Sequence, residues 1–312
     1  MLSLCFYHMI KIVSGLHPAI PTPPIFYGGS ELMAAMTANA LIEEGFDVCL
    51  EAIPRSWKTW YYYFNTDPPK KECRDIDLTI SYIKPAASED NEKMVHVYQG
   101  VVFQLKRAIK VFASKPQYEV YKHLFGLVSG YLIPNTIPEW LYTPREKWDD
   151  GDYYLYLNRC DRNKGCEEFV NACIREKEKC YMITQFWFVE DVEYAKAVVE
   201  KARNNGIKVY VNVGPLEKIE LIKNAKAVVG FLSERYFEGY GLWVHEANYL
   251  RVPVISTPVQ AVPWTMMRGY LVEKPTFSQY LEEVRKDENE WREDRSYKRY
   301  KERWVKLMEE VI

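Results

Sequence analysis

Short apolar runs alternate with amphipathic stretches along this chain, and the alternation predicts parallel β-sheets covered by helices. Near the start, apolar runs at 11–15 and 46–53 flank a stretch whose periodicity predicts a helix over 30–45. Ser30 is a suitable N-cap residue for that helix, and Gly45 is typical of a helix end. A strand–helix–strand unit of this length implies parallel pairing with a right-handed crossover. Further strands are predicted at 77–83 and 93–100.

The alternation is interrupted between 134 and 152, where three prolines and an acidic cluster indicate a linker. After this stretch the pattern resumes, so we predict two successive α/β domains. The first domain covers 1–150 and the second 151–290, and a C-terminal helix over 291–312 packs back on the protein. Strands of the second domain are predicted at 153–159, 180–188, 208–214, 225–232 and 252–257, and helices at 165–178, 192–206 and 217–225.

The charged tail from about Thr276 onward also has helical periodicity. Its large apolar residues recur at helical spacing among many lysines and arginines; they are Tyr297, Tyr300, Trp304 and Leu307. This pattern favours a final helix that docks on the protein by its apolar face. The alternative is a basic aromatic helix that lies on a membrane surface and makes a peripheral membrane contact.

Composition and charge argue against some functional classes of protein. Hydrophobic residues make up 48% of the 312 residues, which is enough for a substantial core, and the formal net charge is −2. This balance does not favour nucleic acid as a partner. No apolar run reaches the roughly 20 residues that a membrane-spanning helix needs, so we expect a soluble, cytoplasmic protein.

Seven cysteines are spread along the chain without a C-x-x-C pair. In a cytosolic protein this arrangement favours buried, reduced thiols. Cys166, Cys173 and Cys180 recur every seven residues, which predicts one face of a helix in the core. No histidine joins them, so we expect no metal site there.

The stretch FEGYGLWVHEA (237–247) carries the strongest chemical signal. It follows a predicted strand, and its glycines predict a helix that begins near Gly239–Leu242. The free N–H groups and dipole at a helix start suit a phosphate, and glycines let a ligand approach the backbone. Glu238 precedes the helix, and Glu246 lies about two turns into it, where a carboxylate can accept hydrogen bonds from sugar hydroxyls.

The longer stretch EGYGLWVHEANYLRVPVIST (238–257) resembles the E-G-[FY]-G-L-x-x-x-E-A and P-V-I pattern of the family-4 retaining glycosyltransferases of GT-B fold. The resemblance implies two Rossmann-like, doubly wound parallel-sheet domains that face a central cleft. It implies transfer of a sugar, with retention of configuration, from a nucleotide-diphosphate sugar to a carbohydrate, lipid or protein acceptor. No metal ion and no cofactor besides the donor are expected.

The resemblance also implies roles for individual residues. In YYLYLNRCDRNKGCEEFVNAC (153–173), Arg159 and Lys164 would bind the donor diphosphate. Glu246 would hold the nucleotide ribose, and Glu238 would hold the sugar hydroxyls and support positive charge in the transition state. The other implied contacts are Gly239, Tyr240, Gly241 and Leu242 at the helix start, and Gly28 and Gly29 in the first loop, near the donor phosphate or the acceptor.

Three positions depart from the family pattern. Asn158 stands in place of a glycine before Arg159, and Thr136 stands in place of the glycine of I-P-N-G. Gln99 occupies the position of a histidine that usually contacts the donor sugar, which makes Gln99 the candidate catalytic residue there. The alternatives are a non-catalytic nucleotide-sugar-binding or scaffolding protein, or another GT-B enzyme such as a sugar-nucleotide epimerase or a phosphorylase.

Several of these candidate residues also have a purely structural interpretation. Arg159 and Lys164 could belong to a solvated loop, and Glu246 could be a surface residue of its helix. Glu238 could complement the helix dipole. Gly28 and Gly29 could form a simple turn.

Overall fold

The computed structural model describes residues 9–14, 22–24, 28–52, 57–83, 93–99, 105–126, 129–148, 150–186 and 189–312, with 57 and 58 described by their backbone. The chain forms two compact units. The first unit consists of Met1–Pro138 together with Arg295–Ile312, and the second consists of Glu139–Asp294. The boundary between them therefore falls after Pro138, before the predicted position 150, and the end of the chain belongs to the first unit.

The first unit is built on a parallel sheet in the order β2-β1-β3-β4-β5-β6. Its strands are β1 (Met9–Val13), β2 (Asp47–Glu51), β3 (Ile76–Ser81), β4 (Met94–Tyr98), β5 (Ile109–Phe112) and β6 (Tyr131–Leu132). Its helices are α1 (Gly29–Glu43), α2 (Trp57–Tyr63), α3 (Lys115–Phe125) and, at the end of the chain, α10 (Tyr297–Val311). The central strands are buried, since both faces of a parallel sheet are covered by helices.

Helix α1 differs from the prediction at its first residues. Gly28 occupies the N-cap position, so Ser30 lies inside the first turn and does not cap the helix. The predicted end is confirmed, because Gly45 has a φ of 85° and its N–H donates to the carbonyl of Ile42.

The second unit is built on a sheet in the order β13-β12-β11-β10-β7-β8-β9. All its strand pairs are parallel except β12 with β13. Its strands are β7 (Tyr153–Leu157), β8 (Cys180–Thr184), β9 (Lys208–Val211), β10 (Ala225–Gly230), β11 (Val254–Ser256), β12 (Arg268–Leu271) and β13 (Glu282–Arg285). Its helices are α4 (Cys166–Glu176), α5 (Val192–Asn204), α6 (Pro215–Lys223), α7 (Leu242–Tyr249), α8 (Val262–Thr265) and α9 (Glu288–Asp294).

The tail is not one continuous helix from Thr276. It contains the antiparallel strand β13 and the short helix α9 before α10 begins. Helix α10 lies against α1 and buries its apolar face, which comprises Tyr300, Trp304, Leu307 and Met308. The hydroxyl of Tyr300 lies 2.5 Å from Oγ1 of Thr37 on α1. This packing buries the apolar face of α10, which would have to contact lipid if the helix lay on a membrane surface.

The expectation of reduced cysteines is wrong for six of the seven. Disulfides join Cys49 to Cys73, Cys160 to Cys166, and Cys173 to Cys180. The three cysteines at heptad spacing do not share one helix, because Cys166 and Cys173 lie on α4 whereas Cys180 begins β8. The fold brings the end of α4 beside the start of β8, and this proximity pairs Cys173 with Cys180. Cys5 lies outside the described residues.

Among the described residues, no helix is both long enough and apolar enough to cross a membrane.

Candidate functional site

A glycine after β7 brings a basic loop against the end of β10. The loop forms a short 3-10 helix at Arg162–Lys164, followed by Gly165 with a φ of 75°. A Cβ atom on Gly165 would lie 2.0 Å from the carbonyl oxygen of Phe231, so no other residue fits without a shift of the backbone. The close approach places Lys164 next to the segment that joins β10 to α7.

Lys164 is buried and is held by Glu238. Its Nζ lies 3.1 Å from Oε2 of Glu238 and 4.0 Å from the centre of the Tyr236 ring. This burial is not compatible with the interpretation of Lys164 as part of a solvated loop. The cation is instead fixed at the glycine-rich segment, in a site with little access to water, where its attraction for an anion is strong.

Glu238 also organises the start of α7. Its second carboxylate oxygen, Oε1, accepts a hydrogen bond of 3.1 Å from the N–H of Gly241. Gly241 has a φ of 82° and forms the N-cap of α7, which begins at Leu242. Glu238 therefore connects the buried lysine to a helix start whose remaining N–H groups suit a phosphate.

Tyr240 and Gly239 complete this segment. Tyr240 is buried, and its hydroxyl lies 2.9 Å from Nδ1 of His245 on α7. The bond fixes the segment to the helix and does not direct the hydroxyl to solvent. The structure places Gly239 between Glu238 and Tyr240 in the same bend.

Arg159 lies at the exit of β7, on the same loop as Lys164. Its Nε is 3.2 Å from Oδ2 of Asp161, and its carbonyl accepts a hydrogen bond of 2.6 Å from the hydroxyl of Tyr156. Asp161 is fixed in turn, since its Oδ1 accepts the N–H of Glu190 at 2.9 Å. The Arg159 side chain is 23% exposed, so the guanidinium is more accessible than the Lys164 amine.

Glu246 is buried in α7 and is not a surface helix residue. Its Oε1 accepts two hydrogen bonds, one of 2.6 Å from the hydroxyl of Tyr142 and one of 2.5 Å from Nζ of Lys218. In the described part of the chain, Oε2 makes no hydrogen bond with protein. A carboxylate with one oxygen held and the other open is suited to accept a hydrogen bond from a ligand.

Sequence reasoning missed both partners of Glu246. Lys218 lies in the first turn of α6, two residues after the stretch VNVGPL that carries part of the resemblance, so its position in the sequence could have indicated it. Tyr142 lies in the segment interpreted as a linker, where no pattern distinguishes it from other aromatic residues. Only the approach of that segment to α7 in the folded unit reveals its role.

The remaining candidates lie in the first unit. Gly28 and Gly29 form the start of α1, where the carbonyl of Gly28 accepts the N–H of Leu32 at 2.9 Å. Gln99 follows β4 and pairs with Asn135, whose Nδ2 donates to Oε1 of Gln99 at 3.0 Å. The carboxamide of Gln99 is thus fixed to the I-P-N-T segment.

His96 does not take the place of the missing histidine. It lies within β4 with its ring edge-on to Tyr98, at a centre-to-centre distance of 4.5 Å. Burial lowers the pKa of His96 to about 4, so the ring is neutral at physiological pH. It is a residue of the core.

The two units with their largely parallel sheets have the GT-B fold of solved glycosyltransferases. The chain belongs to the family "Glycosyl transferases group 1", whose profile matches residues 142–304, just over half of the sequence. The match covers nearly all of the second unit, including the Lys164–Glu238 pair and Glu246. No curated protein matches the chain in sequence.

Solved glycosyltransferase structures resemble the fold over almost the whole chain. AviGT4, involved in avilamycin A biosynthesis, is 17% identical with a TM-score of 0.61, and the match covers 96% of this chain and 92% of AviGT4. Sucrose-phosphate synthase from Thermosynechococcus elongatus is 16% identical with a TM-score of 0.63, and coverage is 96% and 94%. HepE of Anabaena, in complex with UDP-glucose, is 10% identical with a TM-score of 0.68, and coverage is 97% and 100%. The predicted α/β fold class and enzyme class are confirmed.

Proposed function

We propose that this glycosyltransferase moves a sugar from a nucleotide-diphosphate sugar to an acceptor hydroxyl, with retention of configuration and without a metal ion. The observation that carries the proposal is the buried Lys164–Glu238 pair at the start of α7. Retention is supported by the resemblance of the 238–257 stretch to retaining enzymes. The acceptor is a carbohydrate, a lipid or a protein.

The cations near the helix start supply the charge that the leaving diphosphate requires. Arg159 offers a planar fork for phosphate oxygens and Lys164 offers a point charge. The N–H groups at the start of α7 add further donors. Since catalysis of this kind depends on stabilising negative charge on the leaving group, these groups can act in place of a metal ion.

Donor binding would exchange the partner of Lys164. In the structure, the amine is paired with Oε2 of Glu238. A diphosphate that takes over Lys164 frees this oxygen to accept a hydrogen bond from the donor sugar. In the same site, the open Oε2 of Glu246 accepts a hydrogen bond from the ribose. The charged groups are thus already oriented before the donor arrives, which reduces the reorganisation that binding requires.

Residues of the first unit have the roles that the resemblance implies. Gly28 and Gly29 serve the donor phosphate or the acceptor, because their small size allows a ligand to approach the backbone. Gln99 serves the donor sugar through its carboxamide, which Asn135 orients.

A thermal-shift panel tests the donor site. UDP, GDP, ADP and their common sugars are each added to wild type and to Glu246→Gln, with and without EDTA. UDP is the first probe because solved structures of the same fold contain UDP and UDP-glucose. A ligand at 100 times its dissociation constant adds roughly 2.7 kcal/mol to the free energy of unfolding. We expect a shift with one base, insensitive to EDTA and weakened in Glu246→Gln.

A matched variant controls for the loss of a carboxylate. Glu220→Gln removes an exposed carboxylate from α6 and should leave the ligand-induced shift unchanged. If no nucleotide shifts the wild type, the donor-site proposal fails. If nucleotides bind but no free sugar is released from the donor over long incubation, the proposal of sugar transfer fails. The protein is then a non-catalytic nucleotide-sugar-binding or scaffolding protein.

A further inference from the structure

The side chain of Arg145 is buried where three stretches of the second unit meet, and it is only 7% exposed. Arg145 itself belongs to the stretch that leads from the unit boundary to β7. The other two stretches are the end of α6 with the start of β10, and the end of α7. We refer to the guanidinium of Arg145 and the backbone carbonyl groups that bind it as the arginine junction; the carbonyl groups are those of Trp148, Asp150, Lys223, Ala225 and Arg251.

The five hydrogen bonds of the arginine junction connect its three stretches. Nη1 donates to the carbonyl groups of Asp150 at 2.6 Å, of Ala225 at 2.9 Å and of Lys223 at 3.3 Å. Nη2 donates to the carbonyl of Arg251 at 2.8 Å and to that of Trp148. Lys223 is the last residue of α6, where carbonyl groups have no partner within the helix and carry partial negative charge. One buried cation thus fixes the ends of two helices to the stretch before β7.

Backbone groups and a second arginine reinforce the attachment to α7. The N–H of Arg145 donates to the carbonyl of Leu250 at 3.2 Å. In the opposite direction, Nη1 of Arg251 donates to the carbonyl of Arg145 at 2.9 Å and to that of Glu146 at 3.3 Å. Glu288 fixes the Arg251 side chain in turn, with Nε of Arg251 2.9 Å from its Oε1. The stretch before β7 is therefore held to the end of α7 by bonds in both directions.

The same three stretches carry the group that holds Glu246. Tyr142 lies in the stretch before β7, Lys218 in α6 and Glu246 in α7. Each of them is at most five positions from a residue of the arginine junction, and five positions of a helix span about 8 Å. Oε1 of Glu246 is held from two sides, by the Tyr142 hydroxyl at 2.6 Å and by the Lys218 amine at 2.5 Å. A displacement of one stretch relative to the others would therefore turn the carboxylate and its second oxygen.

We propose that Arg145 is a positioning residue of the candidate donor site, which fixes Tyr142 and Lys218 relative to Glu246 and thereby sets the preference for a ribose. The inference rests on the proposed function, in which Oε2 of Glu246 accepts a hydrogen bond from the ribose. Arg145 acts through the two donors to Oε1 and not by contact with the ligand. The role requires arginine, because its planar fork offers five N–H donors in fixed directions, whereas lysine offers a point charge with three.

Arg145→Lys tests this assignment, because it keeps the positive charge and removes the planar fork. Isothermal titration calorimetry measures the affinity for the preferred nucleoside diphosphate, for its 2′-deoxy form and for inorganic pyrophosphate. We expect the affinity for the nucleoside diphosphate to fall about tenfold, which corresponds to the loss of one well-directed hydrogen bond to the ribose. The affinity for the 2′-deoxy form should fall less. Pyrophosphate affinity should not change, since Arg159 and Lys164 are intact.

A double-mutant cycle separates positioning from a general loss of stability. Tyr142→Phe removes one donor to Glu246 directly, and Arg145→Lys displaces the same donor. The double variant should therefore lower the ratio of ribose to deoxyribose affinity by less than the product of the two single reductions. Independent effects would multiply.

Arg292→Lys is the matched control. Arg292 on α9 also holds the end of α7, since its Nη2 donates to the carbonyl of Tyr249 at 2.7 Å and its Nε is 2.8 Å from Oε1 of Glu288. The substitution removes a guanidinium from the same unit and leaves the arginine junction intact. The ratio of ribose to deoxyribose affinity should equal that of wild type.

A second variant is available if Arg145→Lys does not fold. Arg251→Lys keeps a cation beside Glu288 and weakens the bonds to the carbonyl groups of Arg145 and Glu146. It should lower the ratio of ribose to deoxyribose affinity in the same direction, by a smaller factor.

Each outcome decides the matter. A lower preference for ribose with unchanged pyrophosphate affinity and non-multiplicative effects in the cycle supports the inference. A lower unfolding temperature with an unchanged preference, or an equal loss of affinity for all three ligands, assigns Arg145 to folding alone and overturns it. Multiplicative effects in the cycle, or an equal change in Arg292→Lys, overturn it as well and leave the donor site in place. If wild type binds no nucleotide, the proposed function fails together with this inference.

Discussion

At the scale of single residues, the charged groups assigned to the donor already have protein partners of opposite charge. Lys164 is paired with Glu238, and Glu246 is paired with Lys218. Donor binding at such a site exchanges one partner for another, so affinity depends on the difference between the two sets of contacts. The pairs also fix the side chains in advance, which lowers the entropy cost of binding.

Tyr142 is expected to position Glu246 for the ribose. In Tyr142→Phe, the loss of one hydrogen bond to Oε1 should weaken binding of the preferred nucleoside diphosphate about tenfold. The ratio of its affinity to that of the 2′-deoxy form should also fall, because Oε2 no longer faces the ribose hydroxyls in a fixed position. Calorimetric titration with the two ligands measures both quantities.

Tyr153→Phe is the control for this prediction, since the Tyr153 hydroxyl donates to the carbonyl of Leu221 at 2.8 Å. Tyr153→Phe likewise removes a tyrosine hydroxyl from the second unit, but Tyr153 lies outside the candidate site. An unchanged preference for ribose over deoxyribose in Tyr142→Phe would show that Tyr142 does not position the carboxylate.

At the scale of secondary structure elements, local sequence signals decide how well each element can be predicted. Helix α1 is long and rich in apolar residues, and Gly45 ends it, so its prediction is correct to within two residues. Strand β13 has the sequence EEVR and no apolar pattern. It forms because it pairs with β12, and this pairing is not visible in its own residues. Strand β5, with four residues, is too short for a reliable pattern.

The burial of His96 in β4 makes stability depend on pH. The folded-state pKa of about 4 is below the unfolded value of about 6.5, so the unfolded state binds the proton more readily. The free energy of unfolding should therefore decrease as pH falls from about 6.5 towards 4, by up to about 3 kcal/mol. Denaturant unfolding at several pH values measures this decrease.

The variant His96→Phe isolates this contribution. It should lose that part of the pH dependence, whereas His123→Phe, at an exposed position of α3, should retain it. Equal pH dependence in wild type and His96→Phe would show that another group is responsible.

The docking of α10 on α1 should contribute to the stability of the first unit. Leu307 is fully buried in this contact, so Leu307→Ala should reduce the free energy of unfolding by about 2–5 kcal/mol. Lys306→Ala, at the neighbouring exposed position, should have little effect. Chemical denaturation of both variants tests this; a small effect of Leu307→Ala would mean that the helix contributes little to folding.

At the scale of the whole molecule, both units contain disulfides, and the disulfide that closes the longest loop lies in the first unit. Cys49 and Cys73 are 24 positions apart, whereas Cys173 and Cys180 are 7 apart. In the chain-entropy description, the first bond stabilises by about 3 kcal/mol and the second by about 2 kcal/mol. Paired replacement by alanine should therefore cost more stability for Cys49 and Cys73 than for Cys173 and Cys180.

Unfolding under oxidising conditions and with dithiothreitol measures these contributions. The reductant should lower the unfolding midpoint of wild type and have a smaller effect on each paired variant. If dithiothreitol leaves the wild-type midpoint unchanged, the cysteines do not stabilise the fold as disulfides.

The sequence by itself determined the succession of strands and helices, since hydrophobic periodicity and the residues at helix ends act over a few positions. It also determined where the candidate donor site was predicted, because Glu238 and Glu246 occur within one short stretch with its glycines. Only the tertiary structure decided which cysteines pair, that Lys164 is buried against Glu238, and that Tyr142 and Lys218 hold Glu246. These contacts join residues 74, 104 and 28 positions apart, and no local pattern encodes a distance of that kind.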